Sequence, residues 1–166
     1  MKTPSLLRLA AVAALSPLLF LSPGAGAATD DTTMNVTITI TSSCSIETTT
    51  NLDFGTVAST LTDVDATGIL TVTCTNQTPY NVGIDDGAHF GTTRRMQEDG
   101  GSTYYVPYAL YRDESHTQAW GETNGTDTLS GTGTGAGQAI TVYGLVPSAN
   151  FPARSYTDTV TATLTY

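Results

Sequence analysis

From Val36 to Thr41 the chain alternates without a break, so that Val36, Ile38 and Ile40 share one face of an extended segment and threonines occupy the other. The last eleven residues repeat the pattern at greater length. Tyr156, Asp158, Val160, Ala162, Leu164 and Tyr166 fall on one side, and Thr157, Thr159, Thr161, Thr163 and Thr165 on the other. Between these ends, Gly68 to Cys74 predicts a strand, and Tyr80, Val82 and Ile84 predict another that ends at the turn Asp85-Asp86-Gly87. Leu52 to Gly55 predicts a short strand and its exit. Tyr104 to Arg112 predicts an aromatic-rich strand in which Pro107 marks an edge or a bulge. Ile140 and Val142 give a further strand face, whereas residues 121–138 are mostly Gly, Thr, Asn and Asp and predict a long loop. No stretch beyond residue 28 carries helical spacing for more than a turn or two. Six or seven short strands predict an all-β chain, an antiparallel sandwich of immunoglobulin-like type. The two alternating ends pose a physical question, because an uncovered apolar strand is a pairing hazard. Residues 36–41 either pair within their own molecule or complete the sheet of a neighbour.

The first residues change the picture by placing the chain in a compartment. Lys2 and Arg8 precede an apolar run from Leu9 to Leu21, which ends at Ser22-Pro23-Gly24 and the small residues Ala25-Gly26-Ala27. That order predicts a secretory signal peptide over residues 1–27, cleaved after Ala27, on a run too short for a membrane span. In an exported chain the two cysteines, Cys44 and Cys74, predict one disulfide. Closing that loop is worth about 3.7 kcal/mol on chain-entropy grounds. Thr fills 33 of 166 positions and Gly 16, a composition that favours sheet and turn. Without the leader, four Arg and no Lys stand against 15 acids, a net charge of −11. Such a surface repels nucleic acid and anionic lipid.

Reactive chemistry is sparse. His89 and His116 stand apart from any metal-ligand spacing and predict loop or surface positions. Asp63-Val64-Asp65-Ala66-Thr67-Gly68 opens like a calcium loop, but its twelfth position is Cys74 instead of Glu, and a turn is expected. The glycine-rich run from Gly131 to Gly137 lacks the Lys-Ser/Thr of a phosphate loop. Asp85-Asp86 and Asp113-Glu114 predict solvated surface, and no Ser or Cys nucleophile sits in a triad-like pattern. Asn35, Asn76 and Asn124 begin Asn-x-Thr triplets, the acceptor pattern for N-glycosylation. Trp120, with Tyr104, Tyr105 and Tyr111, is the one set that could stack on sugars. No catalytic site, cofactor or metal is expected.

A series of segments resembles the spore coat protein U domain, the pilin fold of archaic chaperone–usher pili. In order they are Cys44, Leu52-Asp53-Phe54-Gly55, Gly68 to Cys74, Tyr80 to Gly87, Arg95-Met96, Tyr108 to Asp113, Trp120-Gly121, Val142-Tyr143-Gly144, Tyr156 to Val160 and the terminal Tyr166. The resemblance covers nearly the whole chain beyond the leader. Ala153-Arg154-Ser155 departs from it where the family usually carries Gly, so the turn there should differ. The resemblance implies an incomplete immunoglobulin-like sandwich over residues 44–166, preceded by a donor-strand extension over residues 28–43. It implies that a periplasmic chaperone lends the missing strand during export. An outer-membrane usher then exchanges it for the N-terminal strand of a neighbouring pilin subunit, in a homo- or hetero-polymer. The implied donor residues are Val36, Ile38 and Ile40, with Met34 extending their face, and the implied acceptor groove includes Val160, Ala162 and Leu164. The Tyr166 carboxylate would meet basic residues of the chaperone. The implied role is a structural subunit of a cell-surface fimbrium that supports adhesion and biofilm formation. With room for one domain, the chain is expected in a shaft or minor position instead of a tip. The competing expectation is a non-polymerising secreted coat or carbohydrate-binding protein that closes its own sandwich with residues 36–41.

Overall fold

A computed structural model describes residues 24, 26–101 and 103–166. The predicted leader therefore lies almost wholly outside the described residues. The chain divides into two units, Met1–Ile38 and Thr39–Tyr166. All regular structure among the described residues is β-strand: β1 (Cys44–Thr50), β2 (Thr62–Cys74), β3 (Pro79–Ile84), β4 (Arg95–Glu98), β5 (Tyr105–Pro107), β6 (Ala109–Tyr111), β7 (Leu129–Thr132), β8 (Gly137–Ser148), β9 (Tyr156–Thr157) and β10 (Ala162–Thr165). They form sheets of order β1-β2-β8-β6, β10-β3-β7 and β5-β4-β9, every pairing antiparallel.

The sandwich core follows from alternation. Leu70, Val72 and Cys74 on β2 and Ile140, Val142 and Val146 on β8 turn inward and pack with Tyr80, Val82 and Ile84 of β3, all of them buried. Trp120 joins the layers: it is 1% exposed, its main-chain N–H donates to Leu110 O, and its Nε1–H donates to Val82 O at 2.9 Å. A buried indole without that acceptor would leave a donor unsatisfied. Trp120 packs, as aromatic side chains usually do, and at 1% exposure offers no face for stacking on a sugar.

Several sequence expectations are corrected by the packing. Leu52 and Phe54 form no strand; they reach into the sandwich as a plug, with Phe54 edge-on to Tyr108 at 6.5 Å between ring centres. Gly144 makes room for the plug, since a Cβ there would lie 2.7 Å from Leu52 Cδ1. The expected strand Tyr104 to Arg112 divides at Tyr108. β5 pairs with β4 while β6 pairs with β8, and Pro107, lacking an N–H, stands where the first ladder stops. The expected loop over residues 121–138 contains β7, and the expected turn at Asp63 lies within β2. The C-terminal stretch is likewise two strands, β9 and β10, in different sheets. Residues 36–41 form no strand: alternation sets a face, but a strand exists only through a ladder, and no ladder includes them.

Cys44 and Cys74 are disulfide-bonded and are also the terminal register pair of the β1–β2 ladder. Asp113 is a solvent-facing turn residue. Hydrogen bonds from Ser115, Thr117 and Gln118 hold its carboxyl well below the usual range.

Candidate functional site: a cleft between two unpaired strand edges

β1 and β10 are outer strands of facing sheets. β1 has β2 as its ladder partner and β10 has β3, and among the described residues neither pairs on its other edge. Between these edges lies a cleft of about 220 Å³. Ile46, Glu47 and Thr48 of β1 line one side, Val160, Thr161 and Ala162 the other, and Leu70 of β2 contributes from the core. The cleft is thus apolar on its inward-facing positions and bounded by main-chain edges. That is the geometry a β-strand fits, since main-chain bonds can form on both sides while alternate side chains enter the gap.

Leu164, the third predicted groove residue, does not line the cleft; it is half-buried and packs on the core cluster, and Tyr166 is 59% exposed. The predicted donor residues are the most exposed apolar side chains described: Met34 at 83%, Val36 at 85%, Ile38 at 86% and Ile40 at 76%. Isolated apolar surface residues are ordinary, but four in strict alternation form one continuous stripe.

The lip of the cleft carries chemistry that sequence reasoning missed. Residues 158–161 belong to no ladder, yet Val160 and Thr161 line the gap. The loop after β3 holds them. Asp85 N–H donates to Thr161 O, Asp85 Oδ1 accepts from Thr161 N–H at 2.9 Å, and Ala88 N–H donates to Thr159 O. The Asp158 side chain, only 4% exposed, accepts from His89 N–H at 3.1 Å, lies 2.9 Å from His89 Nδ1, and accepts from Tyr108 Oη at 2.7 Å. Burial and the Asp158 hydrogen bond push the Tyr108 phenol upward, so it stays a donor. Burial alone would raise Asp85, but bonds from Thr161 and Gly87 and the Arg94 charge outweigh it and lower its carboxyl. The predicted turn at Asp85-Asp86-Gly87 holds, with Gly87 at φ +85°. Its missing side chain matters, because a Cβ would lie 2.2 Å from Asp158 Oδ2. His89 lies in a loop as expected, and there it is a partner of Asp158. His116 rests against Tyr111 with ring centres 4.9 Å apart.

The Spore Coat Protein U domain model matches residues 30–163. The chain belongs to that family. It is 38% identical to Protein U of Myxococcus xanthus over 174 residues, covering 95% of this chain and 96% of that protein. Among solved structures it is similar to a chain in the CsuC–CsuE chaperone–tip adhesion subunit pre-assembly complex from the archaic chaperone–usher Csu pili of Acinetobacter baumannii. There the TM-score is 0.53 at 20% identity, over 77% of this chain and 41% of that one. The chain spans about two fifths of that solved chain, and the likeness is one of fold.

Proposed function

We propose that this family member is a structural subunit of a secreted, surface-attached fibre, polymerised by exchange of N-terminal strands between copies or related subunits. The observation that carries the reading is the cleft bounded by the unpaired edges of β1 and β10, taken with an exposed apolar stripe on the same chain. Laid antiparallel along residues 160–166, Ile40 falls beside Val160 and Ile38 beside Ala162 within the cleft, and Val36 beside Leu164 and Met34 beside Tyr166 beyond it. The bulkiest inner position, Ile38, thus meets the smallest acceptor residue. Likeness in fold to a chain of the chaperone–tip adhesion subunit complex supports a periplasmic chaperone as the first occupant of the cleft. Exchange at an outer-membrane usher, and adhesion and biofilm formation as the outcome, are the further parts of this proposal. Export through the periplasm requires removal of residues 1–27, which leaves 28–43 as the donor extension.

The test uses the full chain carrying Ile38→Asp, which disables its own donor, and a synthetic peptide covering Thr29 to Thr41. At 100-fold excess over Kd the peptide should stabilise the chain by about 2.7 kcal/mol. A peptide with Ile38→Asp should not, whereas one with Thr37→Asp, altered on the outward face, should retain most of the effect. If the peptide adds no stability, or both substituted peptides behave alike, strand exchange is wrong and the reading reverts to a non-polymerising secreted coat protein.

A further inference from the structure

We infer that Asp158 and Asp85 are positioning residues for strand capture: from behind, they clamp the lip of the cleft so that the main-chain N–H and C=O of Val160 face the incoming strand. The inference rests on the strand-exchange reading of the cleft and adds to it which side chains ready the acceptor edge.

The geometry is alternate. In an extended chain, successive residues direct their main-chain groups to opposite sides. The loop Asp85–His89 engages the odd-numbered residues, through Thr159 O, Thr161 O and Thr161 N. Val160, between them, has no main-chain partner among the described residues and lines the cleft. The clamp therefore takes one side of the segment and leaves the other to a fresh strand.

The other edges need no such device. β1 is held along its length by β2 and covalently at Cys44, and β10 by β3 from Ala162 onward. Residues 158–161 cross between sheets with no ladder, so side chains must supply the order. Asp158 does so from a buried position with two donors directed at it, His89 N–H and Tyr108 Oη, and with His89 Nδ1 2.9 Å away. Asp85 does so by accepting from Gly87 N–H and Thr161 N–H on one oxygen. Arg94 fixes the loop in turn, donating from Nε to Asp85 O and from Nη2 to Ile84 O. An ordered edge lowers the entropy lost when a strand docks.

The prediction is a kinetic split. Before docking, an unclamped lip must be ordered by the incoming strand, which slows association; after docking, the new ladder holds the lip and dissociation changes little. In the full chain with Ile38→Asp, stopped-flow anisotropy with a fluorescein-labelled Thr29–Thr41 peptide should show association slowed at least tenfold by Asp158→Asn or Asp85→Asn. Dissociation should stay within about twofold. Tyr108→Phe, which removes one donor to Asp158, should slow association by a smaller factor, and it decides the matter if Asp158→Asn does not fold. Val142→Ala, a core change away from the lip, is the control for bulk destabilisation and should leave association unchanged. The inference is overturned if the clamp variants associate at the unsubstituted rate, or if Val142→Ala slows association equally. Failure of the Ile38→Asp chain with its clamp intact to take the peptide at all sinks the strand-exchange reading, and this inference with it.

Discussion

Replacing both cysteines, C44S with C74S, should uncouple the cleft from the rest of the sandwich. The disulfide joins the first residue of β1 to the last of β2, and β1 has no other ladder partner. Its loop, with a sequence separation of 30, is worth about 3.7 kcal/mol in denatured-chain entropy. Domains of this size hold roughly 5–15 kcal/mol in all, so a quarter or more of the stability is at stake. At about 3–4 °C per kcal/mol for a domain between the small and large size classes, the melting midpoint should fall by roughly 11–15 °C. Urea denaturation of the oxidised chain and the double variant, fitted with a shared slope, measures the loss. The loss should also be local. Amides of Ile46 to Thr50 should gain exchange well before those of β2 or β8, since one edge of β1 is open and its ladder is bulged between Thr48 and Thr50. Because Ile46, Glu47 and Thr48 line the cleft, capture of the Thr29–Thr41 peptide should weaken in parallel. A stability change below about 1 kcal/mol, or β1 amides as protected as before, would refute the idea that this cross-link anchors an otherwise half-held strand.

Three further outcomes follow from the same geometry. Trp120→Phe removes the donor to Val82 O and leaves space beside a fully buried core, and should cost about 2–4 kcal/mol in urea titration. Ala162→Leu fills the cleft from its open side, against Leu70 of β2, so it should preserve the melting midpoint within a few degrees yet abolish peptide capture in a fluorescence titration. Asp85, whose carboxyl is lowered in the fold, adds stability that is complete above its ordinary value of 3.8 and is lost as pH falls toward its folded value. Melts between pH 5 and pH 2 should therefore lose part of their acid slope when Asp85→Asn is made.

How much of this was legible in the sequence depended on which force set each element. The Gly68–Cys74 part of β2, and β3, were visible because their inward faces are built from bulky apolar residues at period two, and burial selects that pattern; β10 shows the same period with the half-buried Ala162 and Leu164. β7 was invisible for the converse reason. Its inward position Gly131 stays small to admit the Tyr80 ring, since a Cβ there would meet Tyr80 Cζ at 2.4 Å, so periodicity has nothing to register. The break in the last eleven residues was hidden because both halves keep one face. Asp158, on that face with Tyr156 and Ala162, is inward and buried as the alternation implies. What changes is the sheet to which each half belongs, a property of partners far away in sequence. The clamp was hidden likewise: Asp158 lies 69 residues from His89 and 50 from Tyr108, and a lone acid in an apolar stripe carries no spacing signal. One hint was present, since an acid on an apolar face needs donors if it is to be buried.

The cleft poses the question of how a sandwich with two open edges keeps a core at all. Leu52 and Phe54 answer it. They fill the interior from a segment with no strand of its own, against Gly68 and Gly144, which lack the side chains that would exclude them. With the plug in place Leu70, the core residue nearest the cleft, is already only 7% exposed. On the strand-exchange proposal, an incoming strand would therefore find little core left to complete; it would supply a ladder for two unpaired edges and cover for a narrow seam from Ile46 to Ala162. A fold arranged in this way keeps its core without that strand, because hydrophobic burial is mostly done, and would still gain from it, because two rows of main-chain donors and acceptors would trade water for a strand. The excess of 15 acids over four Arg beyond residue 27 acts in the same direction, opposing chance edge-to-edge contact between copies, while residues 34–40 carry no charge and, on the strand-exchange proposal, would enter without that repulsion.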